Sequence, residues 1–475
     1  MKKKPLILNV YYNLVAVFIQ NLVSLLGLSI ISRKFGPEIF GEINAFISFV
    51  AIFIPLIIHG ASNYYSREYS RNENETATLS RFFRYTFISS LILVIILGCF
   101  LGGTKLYSVQ FTTIVVYLIF MLIGNSLDIQ WLFRMKEDTK LVAKTSIVSS
   151  IIFIGLIVLF LTKMTIEVYL IIYSFNRLFN NIIYLYYIKD KKAIFRKTRK
   201  MDKEYFEDFK PVIVLSLSGL LNLIYVRSDI VMLSYFGFKV ETGYYSSAYV
   251  IINILFVLRG TLISLVVPIL LKSFNKSIDY FKSKLSAFLK LGMFLGLLLV
   301  GVTFICEKPI IMLLFGKEFI NSLPAFNILL GMTLVVYINF GISATLIVTN
   351  NDKYFTIATL LAAIINILGN FLFIPHYGMV AAATTTLLAE AVILIYSLFK
   401  LRKSSLALTK LLVKSNLKIF ISGIILIIIS YLIKETLQVN SILIGILYIV
   451  IFLLVSYYFK FFSKNEIDHI TKVTK

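Results

Sequence analysis

Charge of one sign is scarce in this sequence. Only 24 acidic residues stand against 47 basic ones, and charged residues of both signs fill 15% of 475 positions. Soluble domains carry about 25% charged residues, so an ordinary water-facing surface is excluded. Two cysteines, Cys99 and Cys306, are too few for a disulfide framework and have no CxxC spacing; no bridge between them is expected. His59, His376 and His469 are too scattered for a metal site, and HExxH and glycine-rich phosphate motifs are missing. No metal and no cofactor is therefore expected. Long polar loops that might house a catalytic domain are also lacking.

Apolar runs take their place. Hydrophobic residues make up 59% of the chain and the mean hydropathy is +0.88. Stretches long enough for the roughly 30 Å hydrocarbon core fall near 9–31, 42–62, 84–103, 110–133, 142–162, 166–188 and 211–236, then 243–271, 285–306, 325–349, 354–375, 379–400, 415–434 and 439–461. The fold class that follows is an all-α polytopic membrane protein of about 14 transmembrane helices. With the N-terminus inside, 36 Lys and Arg fall on cytoplasmic segments and 8 on the opposite loops, while Arg177, Arg227 and Arg259 lie within spans. That asymmetry places both termini in the cytoplasm. The net charge of +23 is then explained by topology and by attraction to anionic membrane lipids, so no nucleic acid partner is expected. The first segment follows MKKKP but lacks a small-residue cleavage site, which reads as a retained helix.

The longest polar break, 189–210, carries nine basic residues and divides a six-helix lobe, 1–188, from a second, 211–400; two more helices and a tail occupy 401–475. Within the break, Asp202, Glu204, Glu207 and Asp208 alternate with Lys203 and Lys210 and read as a solvated segment. Residues 28–41 can be laid over 229–243 so that Phe35 and Gly36 meet Phe236 and Gly237, and Asn21 meets Asn222. Internal repeats of this kind are common in transporters. The run within 306–326 is too short to span, and 276–290 and 404–418 read as interfacial helices.

Polar residues inside the spans mark where function resides. In 211–236, Ser218, Asn222, Tyr225 and Asp229 stack on one helix face, which lipid does not favour. Span 166–188 carries Tyr173, Ser174, Arg177, Asn180, Asn181 and Tyr184 on one face. The first span contributes Asn13, Gln20 and Ser24, the eleventh Asn366 and Asn370, and the twelfth Thr386 and Glu390. Arg177, Arg227, Arg259, Asp229 and Glu390 would together cost about 12 to 18 kcal/mol if all faced lipid, so most must face a wet or protein-lined interior. Arginines at depth suit phosphate or pyrophosphate, because guanidinium stays charged and forks onto phosphate oxygens. The candidate substrate-binding residues are Arg33, Arg177, Arg227, Arg259, Asn21 and Asn222; Asp128, Asp229 and Glu390 are candidates for ion coupling. A structural alternative pairs Arg177 with Asp128 or Glu390.

Four stretches, in order, resemble the polysaccharide flippases of the Wzx type, relatives of the lipid II flippases and the MATE exporters. They are SRKFGPEIFGEINAFISFVAIFIPLIIHGASNYYSREYSR, RSDIVMLSYFGFKVETGYYSSAYVIINILFVLRGTLISLVVPIL, LLFGKEFINSLPAFNIL and NILGNFLFIPHYGMVAAATTTLLAE. The resemblance covers residues 8 to about 400. It implies two lobes around a cationic cavity in a bacterial cytoplasmic membrane. It further implies alternating access for an undecaprenyl-pyrophosphate-linked oligosaccharide in capsule, exopolysaccharide or O-antigen assembly; whether the protein works alone or docks with a polymerase and chain-length regulator is left open by the sequence. Arg33, Asp229, Arg259 and Glu390 sit in matching motifs, whereas Arg177 and Arg227 come from depth and helix face. Two rival readings are a MATE-like drug exporter, which would want an acidic lining, and a polymerase or ligase, which would want a large outer loop.

Overall fold

In the computed structural model, which describes residues 6–72, 74–104, 107–188, 201–402 and 408–471, every regular element is a helix. Within lipid a helix satisfies all its backbone groups internally, which is why apolar runs of this length take no other form. Among the described residues, eleven helical stretches are long and apolar enough to cross a membrane. Two of them, Ile19–Arg71 and Lys353–Arg402, each hold two helices joined by a tight turn, and helix Ile166–Tyr186 adds another long element. The chain is thus a multi-pass membrane protein of about fourteen crossings.

Glycine makes the tight turns. Gly36, Gly237, Gly316 and Gly378 all have φ between 52° and 103°, a region that costs residues with a Cβ. An aromatic residue precedes each: Phe35, Phe236, Phe315 and Tyr377. Gly36 and Gly237, aligned in the sequence, thus both take a positive φ. Pro37 opens the next helix at a position where no N–H is needed.

Two compact units divide between Lys239 and Val240. The first holds α1 (Leu6–Phe53), α2 (His59–Asn72), α3 (Glu75–Thr104), α4 (Phe111–Leu118), a π turn (Ile119–Ile123), α5 (Gly124–Ser126), α6 (Gln130–Met135), α7 (Thr139–Leu159), α8 (Ile166–Tyr186) and α9 (Met201–Tyr235). Its core gathers Tyr65, Phe82, Phe83, Tyr85, Trp131 and Tyr184. Repeat order in the sequence counts α9 as the opening helix of the second half, but its packing against α1, α2 and α3 groups it with the first unit.

Asp208 accounts for part of that packing. Most of the basic break lies outside the described residues, yet Asp208, read as solvated, is 1% exposed. It accepts from Tyr64 Oη at 2.8 Å, Tyr65 Oη at 2.9 Å and Arg81 Nε at 2.8 Å. The carboxylate is buried because three donors on α2 and α3 replace its water. Close by, a Cβ on Gly60 would collide with the Val212 carbonyl oxygen, so α2 and α9 meet backbone to backbone.

The second unit holds α10 (Lys239–Phe274), α11 (Ile278–Ile305), α12 (Glu307–Leu314), α13 (Leu323–Val348), α14 (Asp352–Arg402), α15 (Leu408–Leu437), α16 (Ser441–Tyr458) and α17 (Lys464–Thr471). Residues 278–290 and 408–418 form the opening turns of α11 and α15, not separate interfacial helices. Long lysine side chains let a helix run past the apolar layer without a break. The run after Cys306 does stay short, with α12 eight residues long. Tyr448 of α16 donates to the Leu297 carbonyl at 2.8 Å and lies where Gly301 leaves no room for a Cβ. Lys434 of α15 sits 3.8 Å from Glu307, both nearly buried. Cys99 and Cys306 are free.

Candidate functional site

In the first unit the π turn carries the chain into Gly124, where a Cβ would lie 2.9 Å from Leu178 Cα of α8. Asn181 fixes this approach by donating to the Gly124 carbonyl at 2.8 Å. The close seat brings Asn125 and Asp128 beneath Arg177. Its Nε donates to Asn125 Oδ1 at 3.0 Å and its Nη2 to Asp128 Oδ2 at 2.8 Å. Of the two partners left open for Arg177, the structure selects Asp128. The polar face of α8 divides in consequence. Ser174, Asn181 and Tyr184 are buried in packing, with Tyr184 accepting from Thr145 Oγ1 at 2.6 Å. Tyr173, Asn176, Arg177 and Asn180 line a cavity of about 210 Å³ together with Gln20 of α1 and Ser149 of α7. The Oδ1 atoms of Asn176 and Asn180 have no hydrogen-bond partner among the described residues.

The polar stripe of α9 also divides. Ser218 and Asn222 open onto a cavity of about 570 Å³ that they share with His59, Asn63 and Arg134. Tyr225 and Asp229, farther along the same face, are buried. Arg227 faces elsewhere, within electrostatic reach of the buried Tyr117, and no group accepts from its Nε. His59 and Arg134 were missed in the sequence, because the histidine looked isolated and the arginine was counted only as a loop charge. Of the other candidates, Arg33 is exposed next to the Gly36 turn and Asn21 is half-buried on α1. The side chain of Asn13 lies outside the described residues.

In the second unit, Arg259 lies within electrostatic reach of Glu390 and Tyr337. Its Nε has no hydrogen-bond partner. The Tyr337 hydroxyl is engaged, donating to the Leu255 carbonyl at 2.9 Å. Much of the polarity of α14 is consumed internally. Asn366 Nδ2 donates to Thr386 Oγ1 at 3.2 Å, Asn370 Nδ2 to Asn366 Oδ1 at 3.3 Å, and Thr385 Oγ1 to Asn370 Oδ1. These contacts join the two legs of the helix on either side of Gly378. Among the described residues, no three His, Cys, Asp or Glu side chains converge as metal ligands.

The fold has known counterparts. The chain is similar to the lipid II flippase MurJ in an inward closed conformation, with TM-score 0.72 and 20% identity over 94% of this chain and 98% of that one. It is similar to an inward-facing multidrug resistance MATE transporter of the MOP superfamily, with TM-score 0.64 and 13% identity over 81% and 96%. The eukaryotic MATE transporter AtDTX14 gives TM-score 0.55 and 13% identity over 86% and 98%. At these identities the likeness concerns the fold. Curated protein sequences give no match. The pattern described as polysaccharide biosynthesis protein matches residues 6–274, more than half of the sequence, and the chain belongs to that family.

Proposed function

We propose that the protein carries an undecaprenyl-pyrophosphate-linked oligosaccharide from the inner to the outer leaflet of a bacterial cytoplasmic membrane, by alternating access, for capsule, exopolysaccharide or O-antigen synthesis. Both termini face the cytoplasm in this reading, as the lysine and arginine distribution favours. One observation carries it: Arg227 and Arg259, inside apolar helices, each hold an Nε from which no group accepts among the described residues. A guanidinium placed there without full compensation is costly unless an anion visits it. Pyrophosphate supplies charge and several acceptors at once. The polyprenyl tail stays in lipid while the head crosses along polar surfaces.

In this reading Arg227 in the first unit and Arg259 in the second are each an anion-binding position for the phosphates. Arg33, Asn21 and Asn222 contact the head on its way, and Asp229 and Glu390 are the coupling carboxylates, with Asp128 tied to Arg177. A cationic-drug exporter would need open carboxylates, and the carboxylate beside the smaller cavity is already paired, 2.8 Å from Arg177. The test is leaflet-resolved accumulation of the lipid-linked repeat unit in cells lacking the protein. Inner-leaflet accumulation should be reversed by wild type and by Arg259→Lys in part, but not by Arg227→Gln/Arg259→Gln at equal membrane abundance. Normal outward transport in the deleted strain, with no second flippase present, would overturn the reading.

A further inference from the structure

We infer that the smaller cavity of the first unit is a subsite for one uncharged sugar ring of the transported oligosaccharide; the inference rests on the flippase reading above. Its electrostatics set it apart from an anion site. Among the described lining residues Arg177 is the only charged one, and that charge is matched by Asp128 at 2.8 Å and Asn125 at 3.0 Å. A pyrophosphate would have to compete with Asp128 for the guanidinium, and a cationic ligand would meet the guanidinium itself. A neutral ligand meets neither penalty.

The hydrogen-bonding groups point to hydroxyls. Asn180 is 5% exposed, lines the cavity, and has an Oδ1 without a partner. Asn176, one helical turn earlier, also lines it and presents a second such acceptor. Residues four apart share a helix face, so the two carboxamides act on one ligand. A buried acceptor of this kind is stable only when a donor reaches it. Sugar hydroxyls and an N-acetyl N–H are such donors. Tyr173 and Phe153 border the same space with ring centroids 6.3 Å apart and planes at 73°, offering apolar surface to the C–H face of a pyranose. Size agrees: about 210 Å³ is below the roughly 300 to 1,000 Å³ of sites that enclose a drug-sized ligand. The cavity therefore takes one ring, with the rest of the repeat unit outside it.

The experiment compares two lipids on the purified full-length protein in nanodiscs: bare undecaprenyl pyrophosphate and the same lipid bearing the native repeat unit. Asn180→Leu should weaken binding of the sugar-bearing lipid about tenfold, the worth of one well-made hydrogen bond. Binding of the bare lipid should be unchanged, which also shows that the variant is folded. Asn176→Leu, at a less buried position, should act the same way and serves if Asn180→Leu does not fold. Equal weakening of both lipids, or no weakening of either, would overturn the subsite and mark the space as a hydrated cavity only. Failure of wild type to bind either lipid would instead overturn the flippase reading.

Discussion

Arg177 and Asp128 face each other across 2.8 Å, with side chains 33% and 14% exposed. The pair joins α8 to the segment following the π turn, and each member makes the other's presence in the span tolerable. Asp128→Ala should cost about 1 to 3 kcal/mol, below the 3 to 5 of a fully buried pair because Arg177 keeps some solvent access. Arg177→Ala/Asp128→Ala should lose less than the sum of the single changes. Thermal unfolding of the four proteins in detergent measures the coupling, and strictly additive losses would show that the pair is incidental.

Gly124 and Gly155 predict opposite outcomes for the same substitution. At Gly124 a methyl group would lie 2.9 Å from Leu178 Cα and N, where only backbone movement makes room. Gly124→Ala should destabilise by about 1 to 3 kcal/mol and loosen the Arg177 contacts. At Gly155 nothing lies within 4 Å of the added atom, so Gly155→Ala should be neutral or stabilising by up to about 1 kcal/mol. Melting temperatures of the two variants decide; equal values would refute the close seat of α8.

Asp208 should be among the most sensitive acidic positions in the first unit. Asp208→Ala removes the acceptor of two tyrosines and an arginine, and should cost about 3 to 5 kcal/mol. Nearby Glu207 serves as a comparison from the same short acidic run. Protease resistance of α9 in purified protein should fall for Asp208→Ala; if Glu207→Ala lowers it as much, the hydrogen-bonded cluster is not what secures the helix.

Glu466 on α17 gives a pH dependence. Burial acts to raise its pKa, but hydrogen bonds from Lys290 and from the Ser463 N–H outweigh that and hold it below the ordinary glutamate value. Lys290 Nζ lies 2.8 Å from its carboxylate. A depressed folded-state pKa contributes stability that is complete above the unfolded value and is lost as pH falls through the folded one. Docking of α17 should therefore hold at neutral pH and release in acid. Hydrogen exchange of 464–471 from pH 7 downward should show protection lost in acid for wild type. Glu466→Gln should show weaker protection with little pH dependence, and identical profiles would refute the assignment.

The helices were legible because apolar length leaves lipid-embedded chain no alternative. Of the glycine turns, the sequence singles out Phe35–Gly36 and Phe236–Gly237, as a repeated pair. What helix periodicity left open was partnership. It placed Arg177 on a polar face without choosing between Asp128 and Glu390, because that choice depends on a π turn in another helix. It read Asp208 as solvated because its neighbours in sequence are charged, while its three donors lie more than 120 residues away. His59 and Arg134 escaped notice for the same reason, since the cavity they share with Asn222 is assembled from three separate parts of the chain.

The last helices of the second unit are more than an appendage, as the Lys434–Glu307 contact makes plain. A truncation before α15 would strand Glu307 without its ammonium and uncover the face of α11 where Leu297 packs on Gly423 of α15 and Gly301 is covered by the Tyr448 phenol of α16. Each glycine, Gly301 on α11 and Gly423 on α15, leaves room for a large side chain of the helix opposite. A shortened version would need larger residues at Gly301 and an apolar one at Glu307 before the remaining helices could stand alone, so any minimal transporter built from this scaffold has to keep its final hairpin or redesign the surface beneath it.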